Sequence, residues 1–402
     1  MESSVLSLPV TDDKRTLDRA NAVAIPWQLA AVVFASTSII IGLIWDISWH
    51  MTIGRDTFWT PAHLAIYIGG AVAGLACGYE VLRRSFFASS PDKVRGDGVT
   101  IWRIFNGPLG GWVCIWGAVA MLTSAPFDDW WHSAYGLDVK IISPPHTVLA
   151  LGFWGILIGA LMMALARQSR EAAAIQDAAS DDRRAPYVVA YMSGVVLTLI
   201  AIFTYEYQDR VLMHNSIMYR VMAIAMPFAL VSAAMSTRLR YPATAAAAVY
   251  TAIMCLQVWI LPLFPASPKL GPIRMPVDSM VPLDFPLLLI VPAFVIDLLL
   301  RRTAERGAWM RAAIVGVAFV VVFTAVQWVF AEFLMHGPSQ NALFRTDNFP
   351  YLVPPTAAGP QRRFVLEENG ALLRGLAMAV PFAILSARAG LGWGRWLRSV
   401  KR

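Results

Sequence analysis

Ten runs of roughly twenty apolar residues punctuate this chain, and they leave few folds open to it. They fall near 24–47, 60–82, 109–127, 144–166, 187–207, 214–236, 243–264, 284–300, 309–334 and 371–388. Wound as a helix, a run of that length matches the hydrocarbon thickness of a bilayer. Inside lipid every backbone amide needs an internal partner, and a helix supplies its own. The runs therefore predict an all-α, polytopic membrane bundle of about ten transmembrane helices. Hydrophobic residues are 57% of the chain and charged residues 15%, a balance that excludes an ordinary soluble domain. The eighth run carries Pro286 and Pro292 and is the least regular.

Basic residues orient the bundle. The intervals 1–23, 83–108, 167–186, 237–242, 301–311 and 388–402 hold 23 Lys and Arg, whereas the intervening loops hold 8. By the positive-inside rule both termini are cytoplasmic. All six histidines then lie on the opposite, periplasmic or extracellular, face of a bacterial-type inner membrane. The net charge of +7 belongs to the basic loops and is not a nucleic-acid footprint. Residues 1–23 are polar, lack the apolar stretch of a signal peptide, and read as a cytoplasmic tail. Residues 24–166 form a four-helix unit. Residues 167–402 add six further helices and two long proline-rich loops on the histidine side, 265–283 and 335–370. Cys77, Cys114 and Cys255 sit in apolar runs without CxxC spacing and read as small core residues.

The four-helix unit is a parallel duplication of one helical hairpin. Its first copy reads Trp45-Asp46-x-x-Trp49-His50-x-x-x-Gly54-x-Asp56, then Thr60-Pro61-x-His63. The second reads Phe127-Asp128-x-x-Trp131-His132-x-x-x-Gly136-x-Asp138, then Ser143-Pro144-x-His146. Asp-x-x-x-His places a carboxylate and an imidazole on one helix face. Thr60 and Ser143 are N-cap residues with proline at N1, so His63 and His146 fall in the first turn of the next helix. Each copy thus offers two nitrogens and one oxygen, a donor set for a transition metal with room for an exogenous ligand. Asp46, His50 and His63 are the first candidate site; Asp128, His132 and His146 are the second. Asp56 and Asp138 recur in the loops as carboxylates able to orient the imidazoles from behind. Glycine at 54 and 136 suits a turn with positive φ.

Two sparser clusters share the histidine side. Glu332 and His336 repeat the carboxylate-x-x-x-His spacing, and Glu206, Asp209 and His214 surround the turn between the fifth and sixth runs. Each is either a further metal site or a polar network. Trp45, Trp49, Trp59, Trp130 and Trp131 gather beside the candidate ligands, as an interfacial aromatic belt or as walls of a site.

These motifs resemble one of the membrane subunits of the particulate methane monooxygenase and ammonia monooxygenase family, the copper membrane monooxygenases, over roughly residues 24–166. In that family a membrane copper site follows Asp-x3-His-x12-His, which Asp46, His50 and His63 match. A neighbouring family site follows Asn-x3-His-x13-His; Asp128, His132 and His146 match its spacing, with aspartate in place of asparagine. The resemblance implies one or two copper ions and O₂-dependent oxidation of a small-molecule substrate. It also implies work beside other monooxygenase-type subunits, while the chain alone is equally compatible with a homo-oligomer in membrane lipid. Iron or zinc suits the same donors, as in a non-haem iron membrane oxygenase. A non-catalytic reading is copper delivery, assembly or transport. The nearly apolar halves of the first four helices away from the histidines, Glu80 excepted, argue against a path across the membrane.

Overall fold

The computed structural model describes residues 25–55, 57, 59–87, 98–135, 143–176, 183–354 and 363–400, without the side chains of residues 129, 132, 174 and 369. Its helices are α1 (Trp27–Thr52), α2 (Pro61–Leu82), α3 (Leu109–Tyr135), α4 (Pro144–Gln176) and α5 (Ala185–Phe203). They continue with α6 (Ser216–Ser236), α7 (Pro242–Ile260), α8 (Ile290–Arg302), α9 (Ala308–Met335) and α10 (Asn369–Ser399). All but α8 are long and apolar enough to cross a membrane, nine among the described residues. The protein is an all-α, multi-pass helix bundle. Its one small sheet pairs Val99–Ile101 with Phe105–Gly107 in the loop before α3.

Helices α1 to α4 form a closed unit in which α2 packs on α3 and α4 returns to α1. Small residues bring the partners of each hairpin close. A Cβ on Gly117 of α3 would lie 2.7 Å from the Gly152 carbonyl of α4, and one on Gly69 of α2 would lie 2.7 Å from the Ala35 carbonyl of α1. Backbone approach of this kind is how helices associate when lipid supplies no hydrophobic drive. At the arginine-rich end, buried Glu80 of α2 accepts from Gln28 of α1 at 2.8 Å and from Arg83 at 3.1 Å. Intramembrane charge is thereby neutralised. The remaining helices pack as α4 on α5, α5 on α7, α6 on α10 and α9 on α10.

The eighth expected span, 284–300, is corrected. Only Ile290–Arg302 is helical there, 13 residues, with irregular chain before it. Pro282 and Pro286 each lack an amide hydrogen and clash with a preceding turn, so no helix continues through them. Pro292 is tolerated because it lies in the first turn of α8. The irregular segment is nonetheless buried at Met280, Val281, Leu283, Leu287 and Leu289. Side chains of the surrounding helices complete its hydrogen bonding. Leu283 donates its amide to Gln257 Oε1 at 3.0 Å and accepts from Gln257 Nε2 at 3.1 Å. Leu287 N–H meets the Tyr250 hydroxyl at 3.1 Å, and Leu288 N–H meets Gln327 Oε1 at 3.0 Å. Non-helical backbone is tolerated among apolar helices only under such protein cover.

Candidate metal centre

Helix α1 runs unbroken past residue 47, where its apolar run ends, to Thr52. Asp46 and His50 therefore sit one turn apart on one face, with His50 Nε2 3.8 Å from Asp46 Oδ2. On the next helix the Thr60 side chain accepts from His63 N–H at 3.3 Å and Pro61 opens the first turn. This cap sets the imidazole of His63 against α1, where its Nε2 lies 3.3 Å from Asp46 Oδ1. One carboxylate thus touches both imidazoles, a different oxygen toward each. Asp46 and His63 are about one-fifth exposed as side chains, whereas His50 is 48% exposed.

The second copy repeats the construction. Helix α3 carries Asp128 and the backbone of His132 within its length. Ser143 Oγ accepts from His146 N–H at 3.4 Å at the start of α4. His146 Nε2 then lies 3.7 Å from Asp128 Oδ1. The side chain of His132, and Asp56 and Asp138, lie outside the described residues.

Metal–nitrogen and metal–oxygen bonds near 2.1 Å, opened at a tetrahedral angle, hold donor atoms roughly 3.4 Å apart. The Asp46–His63 contact at 3.3 Å has that length, and those at 3.7 and 3.8 Å exceed it by a few tenths. Even so, no three His, Cys, Asp or Glu side chains among the described residues converge as a ready metal-holding group. Asp46 sits between its two imidazoles. A bound ion would draw the exposed His50 inward and take the place of the Asp–His contacts.

The sparser clusters regroup. His336 turns its Nδ1 to the Glu332 backbone carbonyl at the end of α9 rather than to the carboxylate. Glu332 Oε1 instead lies 3.6 Å from His214 Nδ1. The His214 ring is buried and stacked between Trp328 and Phe364, with centroids 3.9 and 3.7 Å away. Asp209 caps a short turn by accepting from Val211 N–H at 3.1 Å, and Glu206 lies on the preceding Tyr205–Tyr207 turn. Burial in that turn pushes the Tyr205 phenol well above its ordinary range. This region is a packed polar and aromatic network. Of the tryptophans, Trp59 and Trp130 are exposed, while Trp45 and Trp49 pack against the core.

Sequence reasoning missed the residues that hold the end of α1. Ser48 and Thr52 are also spaced by four, on the side of the helix away from Asp46 and His50. Ser48 Oγ donates to the Val281 carbonyl at 2.6 Å, and Val281 N–H donates to Thr52 Oγ1 at 2.8 Å. Lys269 N–H reaches the Ile53 carbonyl at 3.0 Å, and Tyr351 N–H the Met51 carbonyl at 3.2 Å. Both long loops thus dock on the helix end that carries the first candidate site. Gly54 turns the chain with φ of 78°, and the Tyr351 hydroxyl occupies the space a Cβ would need. The Ser48-x-x-x-Thr52 spacing was the available signal.

No family model, curated protein or solved structure matches this chain. The likeness to the copper membrane monooxygenases therefore stands on the motif residues alone.

Proposed function

We propose that this protein is a metal-binding integral membrane protein with one transition-metal site per duplicated hairpin, copper being the metal the motifs favour. Asp46, His50 and His63 hold the first ion; Asp128, His132 and His146 hold the second. The observation that carries this reading is the Asp46 carboxylate in contact with imidazoles from two helices, with the carboxylate–imidazole contact repeated at Asp128 and His146. Both donor sets lie at one face of the bundle, read as the periplasmic or extracellular one.

A copper ion held there supplies a redox-active centre with a position open to O₂ and supports oxidation of a small molecule. The chain's own residues do the rest. Asp46 and Asp128 orient their imidazoles and offset the charge of the ion. The Thr60 and Ser143 caps fix the direction from which His63 and His146 approach. Trp45, Trp49 and the docked loops limit water at the first site. Two histidines and a carboxylate also suit non-haem iron. The exposure of His50 favours a second reading, in which the site passes copper to a partner protein.

Metal analysis of protein purified without added metal, followed by copper titration, tests the proposal. Bound copper lost in His63→Ala and His146→Ala supports it. Protein that stays metal-free under titration refutes it, and iron in place of copper moves the assignment to the iron reading.

A further inference from the structure

A second candidate site lies far from the histidines, at the arginine-rich end of the bundle. A cavity of about 210 Å³ separates α4 and α5 from α6 and α10. Its walls include Trp154, Phe228 and Trp393, and Ser236 and Leu397 close its lower end. Along α6 it runs from Phe228 to Ser236, eight residues or roughly 12 Å at 1.5 Å per residue. An apolar void of about 150 Å³ accepts a benzene-sized guest, so this slot takes a rod of some eight carbons.

Two features distinguish the slot from a packing gap. Ser232 lines it and is 7% exposed, and its hydroxyl has no hydrogen-bond partner among the described residues. A buried hydroxyl left unsatisfied is costly, and an acceptor entering the slot would relieve it. Ser232 lies four residues from the end of α6, about 6 Å inside it. That is the depth of a phospholipid ester carbonyl when the helix end marks the headgroup boundary. Beyond the closed end the charge turns positive. Arg238 follows Ser236 and Arg398 follows Leu397, and both are exposed. Basic groups beside a slot between membrane helices match an anionic headgroup, and Trp393 is placed as an interfacial anchor.

We infer that this slot is a binding site for one anionic phospholipid of the adjoining leaflet. One acyl chain fills the cavity, an ester carbonyl accepts from Ser232, and the phosphate lies between Arg238 and Arg398. The site seals the seam between the four-helix unit and the six later helices. It is independent of any metal at the other end.

The test is native mass spectrometry of the full chain in mild detergent, titrated with phosphatidylglycerol or phosphatidylcholine. The wild type should retain one phosphatidylglycerol with a preference on the order of tenfold. Ala229→Phe, which fills the slot, should lose that lipid, and Arg238→Gln/Arg398→Gln should lose the preference. Brominated phosphatidylglycerol gives a readout that does not depend on a filled variant folding. It should quench wild-type tryptophan fluorescence more than brominated phosphatidylcholine does, and Trp393→Phe should abolish the difference. Equal retention of the two lipids, or equal quenching by them, overturns the proposal. So does unchanged phosphatidylglycerol binding by folded Ala229→Phe.

Discussion

Gln257→Leu tests whether side-chain hydrogen bonds hold the unwound segment before α8 in place. Gln257 is buried and serves both backbone groups of Leu283, accepting at 3.0 Å and donating at 3.1 Å. Leucine has nearly the volume of glutamine, so packing changes little. An N–H and a C=O are then left in apolar surroundings, at about 1–3 kcal/mol each. Hydrogen bonds measured within membrane proteins average nearer ~0.6 kcal/mol. The expected loss is therefore about 2–4 kcal/mol, between two bonds at the membrane average and two fully stranded groups. Tyr250→Phe strands only the Leu287 amide, bonded at 3.1 Å, and should lose about half as much. Equilibrium unfolding in mixed micelles of increasing SDS fraction, followed by tryptophan fluorescence, reads both. A Gln257→Leu protein within about 0.5 kcal/mol of wild type, less than one such bond, refutes the reasoning.

Three further outcomes are expected. Asp128→Asn should weaken metal at the second site about tenfold, or ~1.4 kcal/mol, because an amide lacks the carboxylate's charge; isothermal titration with copper reads the change, and Asp46→Asn should behave likewise at the first site. Gly54→Ala should destabilise the protein by about 1–2 kcal/mol or more, since its φ is 78° and the Tyr351 hydroxyl fills the space of the new methyl; thermal unfolding in detergent checks it. Asn341→Cys should react with a membrane-impermeant thiol reagent applied outside intact cells and Gln176→Cys should not, all three native thiols being buried; labelling of both from one side overturns the orientation.

The parts of this fold that are legible in the sequence are those governed by local periodicity and capping. Thr60-Pro61 and Ser143-Pro144 announce helix starts, and they position His63 and His146 through short-range geometry alone. The apolar runs likewise mark the long helices, because length and hydropathy decide them without reference to a partner. The run at 284–300 misleads because hydropathy alone does not weigh Pro286, and because helices distant in sequence supply its missing bonds. Pairing between distant segments is equally invisible in one chain. The spacing of Glu332 and His336 is that of a ligand pair, yet Glu332 faces His214 across 3.6 Å. Nothing local to Val281 or Tyr351 announces that they dock beside His50.

That docking makes the first candidate site a shared property of two distant parts of the chain. The turn bearing His50 is clasped by Val281, Lys269 and Tyr351, all from beyond the four-helix unit. An ion that tightens Asp46 and His50 must also raise the protection of the Val281 and Tyr351 amides from solvent exchange, and a partner that displaces either loop must loosen the ion by the same factor. The second hairpin offers an internal reference for that reciprocity. An isolated 24–166 fragment would keep the ligands of the first site and lose the communication.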